Sequence, residues 1–185
     1  MSDYGIVTEA GALRYERLLP APAERVWQYL VESELRRTWF CAGEMELRPG
    51  GAMKLVFRNS ELSPGEPVPE RFQAMEGYVS TGEILEADPP RRLVFLWHEE
   101  SGDPTEVRWE LEPRGERTLL TLVHRRLPSR AMTVDVSGGW HLHLDMLEAV
   151  LAGRAPGPFW SRQTELERLY DGLVPAEPSA AEAGS

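Results

Sequence analysis

The stretch from Ser137 to Gly153 constrains this chain more than any other, because it is the longest uninterrupted helical pattern in the sequence. Ser137 is suited to cap its start, and Gly153 to close its end in a left-handed conformation. At roughly 100° per residue, Trp140, Leu144, Leu147 and Leu151 fall within one narrow sector. Leu142, Met146, Ala149 and Val150 widen that sector. Only His141, Asp145 and Glu148 remain as a polar strip, read as the solvated side, whereas His143 points into the apolar arc. A helix apolar over most of its circumference needs cover on nearly every side. The remaining chain has to provide a concave partner.

With 185 residues, the chain suffices for one domain with a substantial core and is short for two. The formal net charge of −10 argues against a nucleic-acid partner and against docking on an anionic membrane. Cys41 is the only cysteine, which excludes an intrachain disulfide. The N-terminus lacks a basic segment followed by an apolar one, and no apolar run approaches bilayer length. A cytoplasmic location is therefore expected. The oligomeric state is open, a homodimer included.

Residues 1–10 read as a leader, residues 11–174 as a single domain, and residues 175–185, rich in Ala, Glu, Pro, Ser and Gly, as a disordered tail. Leu13, Tyr15, Arg17 and Leu19 alternate in a first strand that Pro20 and Pro22 end. Two short helices follow: Ala23 to Glu32, with Val26, Trp27 and Leu30 on one face, and Glu34 to Trp39, capped by Ser33. From residue 44 the period becomes two. Strands are expected over 44–48, 53–57, 71–85, 93–97, 107–111 and 119–124, with turn residues between them and a surface loop over 59–70. Such short connections make an antiparallel sheet. Residues 127–136 read as a loop before the long helix of 137–153, and a further helix spans 159–173, with Phe159, Gln163, Leu166 and Tyr170 on one side.

Several phrases in this order carry a resemblance. They are Ala21-Pro22-Ala23-Glu24-Arg25-Val26-Trp27 ending in Trp39, Pro49-Gly50-Gly51, the run Gly82 to Trp97, Leu120 to His124, and Gly139-Trp140. Over residues 11 to 152 the chain resembles the START-like, Bet v 1-like superfamily, in the branch named after the C-terminal domain of the activator of Hsp90 ATPase. The resemblance implies an α+β helix-grip fold. In it a curved seven-stranded antiparallel sheet wraps a long C-terminal helix, with two short helices after the first strand. It also implies a hydrophobic cavity between sheet and helix. The helix beyond Gly153 lies outside the usual pattern.

No catalytic constellation stands out. A nucleophile elbow, a phosphate loop, a dinucleotide glycine fingerprint and a zinc-protease helix are absent, and no cofactor is implied. His141 and His143 point about 200° apart on a helix and cannot share a metal. His141 with Asp145 has the spacing for an ion pair or one half of a metal site, and is read as a solvated strip. No metal site is assigned. Strand alternation turns His124 inward with Leu120 and Leu122, and the helical wheel turns His143 inward as well. Two imidazoles facing one cavity could orient a ligand or act as acid and base; alternatively, each is a core histidine with an internal partner.

The expected lining of the cavity is Trp39, Met53, Leu55, Phe57, Phe95, Trp97, Trp109, Leu122, His124, Trp140, His143, Leu144 and Leu147, unless these residues simply fill the core. The leading expectation is a protein that binds a small hydrophobic or aromatic molecule without chemistry. A cyclase- or hydrolase-type enzyme using His124 or His143 is the alternative. An Hsp90-type co-chaperone comes last, since these residues leave no room for the separate N-terminal domain of such activators.

Overall fold

In the computed structural model of the protein, residues 4–9, 11–98 and 102–176 are described. Seven strands form one antiparallel sheet: β1 Ile6–Glu9, β2 Ala12–Leu19, β3 Gly51–Val56, β4 Val79–Asp88, β5 Arg92–His98, β6 Thr105–Arg114 and β7 Arg117–Arg125. Their order across the sheet is β1-β2-β7-β6-β5-β4-β3. Helices α1 (Ala23–Val31) and α2 (Ser33–Arg36) follow β2, and the long helix α3 (Arg130–Leu151) is gripped by the curved, unclosed sheet. Helix α4 (Trp160–Leu173) packs along α3.

Period-two burial builds the sheet's inner face. Leu13, Tyr15, Arg17 and Leu19 of β2 lie opposite His124, Leu122, Leu120 and Thr118 of β7, and all are buried. Val107, Trp109 and Leu111 of β6 continue that face, as do Leu93 and Phe95 of β5. On β4, Gly82 is required by a close approach: a Cβ there would sit 2.2 Å from the Leu96 carbonyl and 2.5 Å from Met53 Cε. Met53 fills the space a side chain at 82 would need. On α1, Ala23, Val26, Trp27 and Leu30 form the buried face. The fully buried Arg36 guanidinium then donates to the Val31 carbonyl (2.8 Å), which the end of α1 leaves free, and to the Gly43 carbonyl in the loop beyond.

Several boundaries depart from the sequence reading. The leader is in part a strand, since Ile6 and Val7 pair with Arg14 and Leu13. Residues 44–48 are not a strand; only isolated bridges join Met45 to Met53 and Ala42 to Val56. Seven strands are present, with β1 in place of that segment. Residues 70–75 form a 3-10 turn entered through Pro69, so β4 begins at Val79 and not at 71. The largest change is at α3. Its N-cap is Ser129, whose Oγ accepts from the Met132 N–H (3.2 Å), and Ser137 lies inside the helix with its Oγ donating to the Thr133 carbonyl (2.6 Å). Residues 130–136, expected as loop, are therefore helical. Gly153 does close the helix at φ 69°, with the Arg154 N–H donating to Ala149. Of the expected tail, residues 177–185 lie outside the described residues.

Candidate functional site

The wheel places Trp140, Leu144 and Leu147 against the sheet, where all are buried. It places His141 in water, and there the structure differs. His141 is 3% exposed, covered by α4 and the N-terminal segment. Its Nδ1 is 2.9 Å from the Tyr170 hydroxyl and its Nε2 3.4 Å from Asp145. The Tyr15 hydroxyl donates to the Ser137 carbonyl (2.6 Å) and lies 2.8 Å from the Tyr170 hydroxyl, which also accepts from the Gly5 N–H (2.9 Å). This network welds the N-terminal segment, β2, α3 and α4 together.

On the opposite face of α3 the packing is incomplete. A cavity of about 440 Å³, open on one side, lies between the sheet, α3, α4 and the 3-10 turn at 70–75. Protein interiors at ordinary packing density leave few voids larger than a water molecule. From the expected lining, Phe57, Trp97, His124, Trp140 and His143 reach it. Trp39, Met53, Leu55 and Phe95 do not, nor do Trp109, Leu122, Leu144 and Leu147; these are core residues at 0–2% exposure that carry the wall behind. Their depth is the reason: Trp39 stacks on Phe40 and Trp109 meets Trp140 edge-on, and Phe40 and Trp140 present the next layer to the cavity.

The sequence reading missed the outer wall. Phe72 of the 3-10 turn stacks on Trp160 at 5.1 Å, and Phe159 meets His143 at 5.5 Å. Glu66 holds the start of α4 in place: its carboxylate accepts from the backbone N–H groups of Trp160 (2.8 Å) and Ser161 (2.9 Å). Those bonds, with the favourable placement of an anion at a helix N-terminus, hold the Glu66 carboxyl pKa below its usual value although burial opposes them. Arg71 is tied to Glu167 (2.8 Å) and Thr164 (2.9 Å). The signal available in the sequence was the adjacent aromatic pair Phe159-Trp160 at the head of α4.

Gly139 lines the cavity from inside α3, and a Cβ there would meet nothing within 4 Å. A helix-interior glycine costs about 1 kcal/mol relative to alanine, so this one leaves room at a cost to the helix.

The two cavity histidines differ in what they offer. Trp140 Nε1 can only donate, and it donates to His124 Nδ1 at 3.1 Å. The hydrogen of the neutral ring therefore sits on Nε2, which is buried and has no partner. Burial pushes the His124 pKa down to about 3. His124 is thus a neutral N–H donor and has no lone pair free to act as a base. His143 is the converse: its Nδ1 lies 2.8 Å from the Trp39 carbonyl, which can only accept, so Nδ1 carries the hydrogen and Nε2 the lone pair. Burial lowers its pKa to about 4 although that bond opposes the shift. Cys41, with its pKa pushed up to about 12 by burial, is no nucleophile. Among the described residues, no three His, Cys, Asp or Glu side chains gather where a metal could be held. None of their helices is long and apolar enough to cross a membrane.

Comparison with known proteins follows this geometry. Residues 20–152 match the family described as activator of Hsp90 ATPase homolog 1-like protein. A protein from Bordetella parapertussis, solved by solution NMR, is 38% identical with TM-score 0.80, over 94% of this chain and 92% of that one. The crystal structure of CalU16 from Micromonospora echinospora is 27% identical with TM-score 0.67, over 94% and 96%. DynU16, described as a protein in the dynemicin biosynthetic locus, shares the fold at 22% identity and TM-score 0.62, over 81% of this chain and 51% of its own. No curated protein matches.

Proposed function

The chain belongs to the activator of Hsp90 ATPase homolog 1-like family, within the START-like, Bet v 1-like superfamily, and from that premise we propose that it binds a small aromatic molecule in the cavity beside Gly139. The single observation that carries this reading is the ring-lined space of about 440 Å³. It lies within the usual range for small-molecule sites of roughly 300–1,000 Å³. The walls are flat aromatic faces, which favour a flat, apolar guest. His124 presents an N–H with no lone pair free, and burial lowers the His143 pKa to about 4, so both imidazoles are neutral at pH 7. Binding without turnover is the function that fits.

The test is to fill the space. Gly139→Leu places a side chain where nothing now stands and removes a helix-breaking glycine. Screening of the wild-type protein against flat aromatics by native mass spectrometry and thermal shift should find binders. The leucine variant should be at least as stable and bind none of them. A stable Gly139→Leu protein that binds with unchanged affinity would place the guest elsewhere.

A further inference from the structure

The buried polar atoms of the cavity wall divide into those closed to a guest and those open to it. The N–H nitrogens of Trp97, Trp160 and His124 are closed: each has less than 1 Å² of surface of its own. Trp140 Nε1 is taken up by His124 Nδ1. His143 differs. It keeps 6% of its surface, and of its two ring nitrogens only Nδ1 is bonded, to the Trp39 carbonyl. Its Nε2 has no partner in the protein and is not among the closed atoms, so this nitrogen belongs to the surface that His143 turns to the cavity.

With the hydrogen on Nδ1, Nε2 can only accept. A ring flip would exchange Nδ1 for a carbon and leave the Trp39 carbonyl without its donor. Phe40, edge-on at 5.0 Å, and Phe159 at 5.5 Å pack the ring in place. Burial, which keeps the imidazole neutral, preserves that lone pair. Gln163 is the second buried side chain with an open polar atom. It stands one turn beyond Phe159, whose carbonyl accepts from the Gln163 N–H (2.8 Å). Its amide nitrogen faces the Glu167 carboxylate at 3.4 Å, and a carboxylate only accepts, so the free end of the amide is Oε1. Both open groups of the interior are therefore acceptors. The rim is mixed. Arg71 is held by Glu167 and Thr164, Asn59 and Tyr78 carry groups that can donate, and Asp135 is an exposed carboxylate. An anionic guest would bring its charge against the two interior acceptors and Asp135. The interior asks for a neutral donor.

We propose that His143 Nε2 is the atom that reads the guest, accepting a hydrogen bond from the hydroxyl of an uncharged hydroxylated aromatic compound, with Gln163 Oε1 taking a second hydroxyl. A ketone, an ether or a bare ring fits the same space and leaves Nε2 unpaired. This inference rests on the cavity-binding reading and deepens it.

The experiment titrates wild type and His143→Phe with 2-naphthol and 2-methylnaphthalene, which differ by a hydroxyl against a methyl of similar size, and with 2-acetylnaphthalene, which has an acceptor and no donor. Comparing the same pair of probes in two proteins cancels their different hydration. The affinity ratio of 2-naphthol to 2-methylnaphthalene should fall about tenfold in the variant, the change expected for losing one buried hydrogen bond. The ratio of 2-acetylnaphthalene to 2-methylnaphthalene should stay the same. In wild type the ¹⁵N signal of His143 Nε2 should move upfield with 2-naphthol and stay with 2-methylnaphthalene. An unchanged naphthol ratio would overturn the inference and leave the cavity reading intact, whereas wild type that binds none of the three would overturn both. If His143→Phe fails to fold, the ring nitrogen decides alone, and a signal that stays in place while 2-naphthol binds counts against the inference.

Discussion

Helix α3 carries two buried histidines two residues apart, and their surroundings are opposite. His141 faces α4 and the N-terminal segment, where the hydroxyls of Tyr15 and Tyr170, the Ser137 carbonyl and the Gly5 N–H all satisfy one another. His143 faces a cavity in which the N–H groups of His124, Trp97 and Trp160 have no protein partner. Both faces are aromatic and both are buried, so burial alone does not separate structure from function. The open space does. On one face polar groups tie elements together; on the other a cavity remains between α3, the sheet and α4.

Breaking the satisfied face should cost stability and leave binding alone. Tyr15→Ala removes a ring at 1% exposure together with both contacts of its hydroxyl, and should cost about 3–5 kcal/mol in urea denaturation. Binding of 2-acetylnaphthalene to the folded fraction should not change. Tyr170→Phe keeps the ring but deprives Gly5, Tyr15 and His141 of a shared partner. The expected loss is about 1–3 kcal/mol.

The cavity face should instead show itself in acid. His124 and His143 have folded pKa values of about 3 and about 4, below the 6.5 of an exposed imidazole. Between those limits the unfolded chain binds more protons than the folded one. Their contribution is therefore fully present above about pH 6.5 and is lost as pH falls through that range. The slope is about 1.4 kcal/mol per pH unit for each histidine. Stability curves of His143→Leu between about pH 6 and pH 5 should be shallower than wild type by that amount; an unchanged slope would show that His143 does not stay neutral. The smallest effect sharpens the contrast most. Trp97→Phe trims an indole on the cavity wall and should weaken binding of 2-acetylnaphthalene several-fold in an NMR titration while the protein stays folded.

How much of this was legible in the sequence depends on whether a feature is local. The alternation of β2, β6 and β7 was readable because each strand buries every second residue against the same core. The start of α3 was not. Ser137-Gly-Gly reads as a cap and turn, yet Ser137 bonds back within the helix, and Gly138 and Gly139 lie under α4 and beside the cavity. Those roles come from partners distant in sequence. The same limit applies to the site. The wheel and strand register gave the directions of His124, Trp140 and His143, but direction is not depth. Trp39, Trp109 and Leu122 point inward as expected and stop in the layer behind the cavity. Of the polar strip only His141 was misjudged, because docked α4 and the N-terminal segment remove it from water while Asp145 and Glu148 stay partly exposed. The stripe Phe159, Gln163, Leu166 and Tyr170 was visible, but its partner on α3 was not.

The account turns on which aromatic residues meet the guest, and the six tryptophans report on that separately. Each gives one indole N–H signal in a ¹⁵N–¹H correlation spectrum. Titration with 2-acetylnaphthalene should shift Trp97 and Trp160, whose N–H groups have no partner, and move Trp140 less, since its N–H is held by His124. Trp27, Trp39 and Trp109, which do not line the cavity, should stay in place. Shifts centred on Trp39 or Trp109, or on no tryptophan while the ligand binds, would contradict the account.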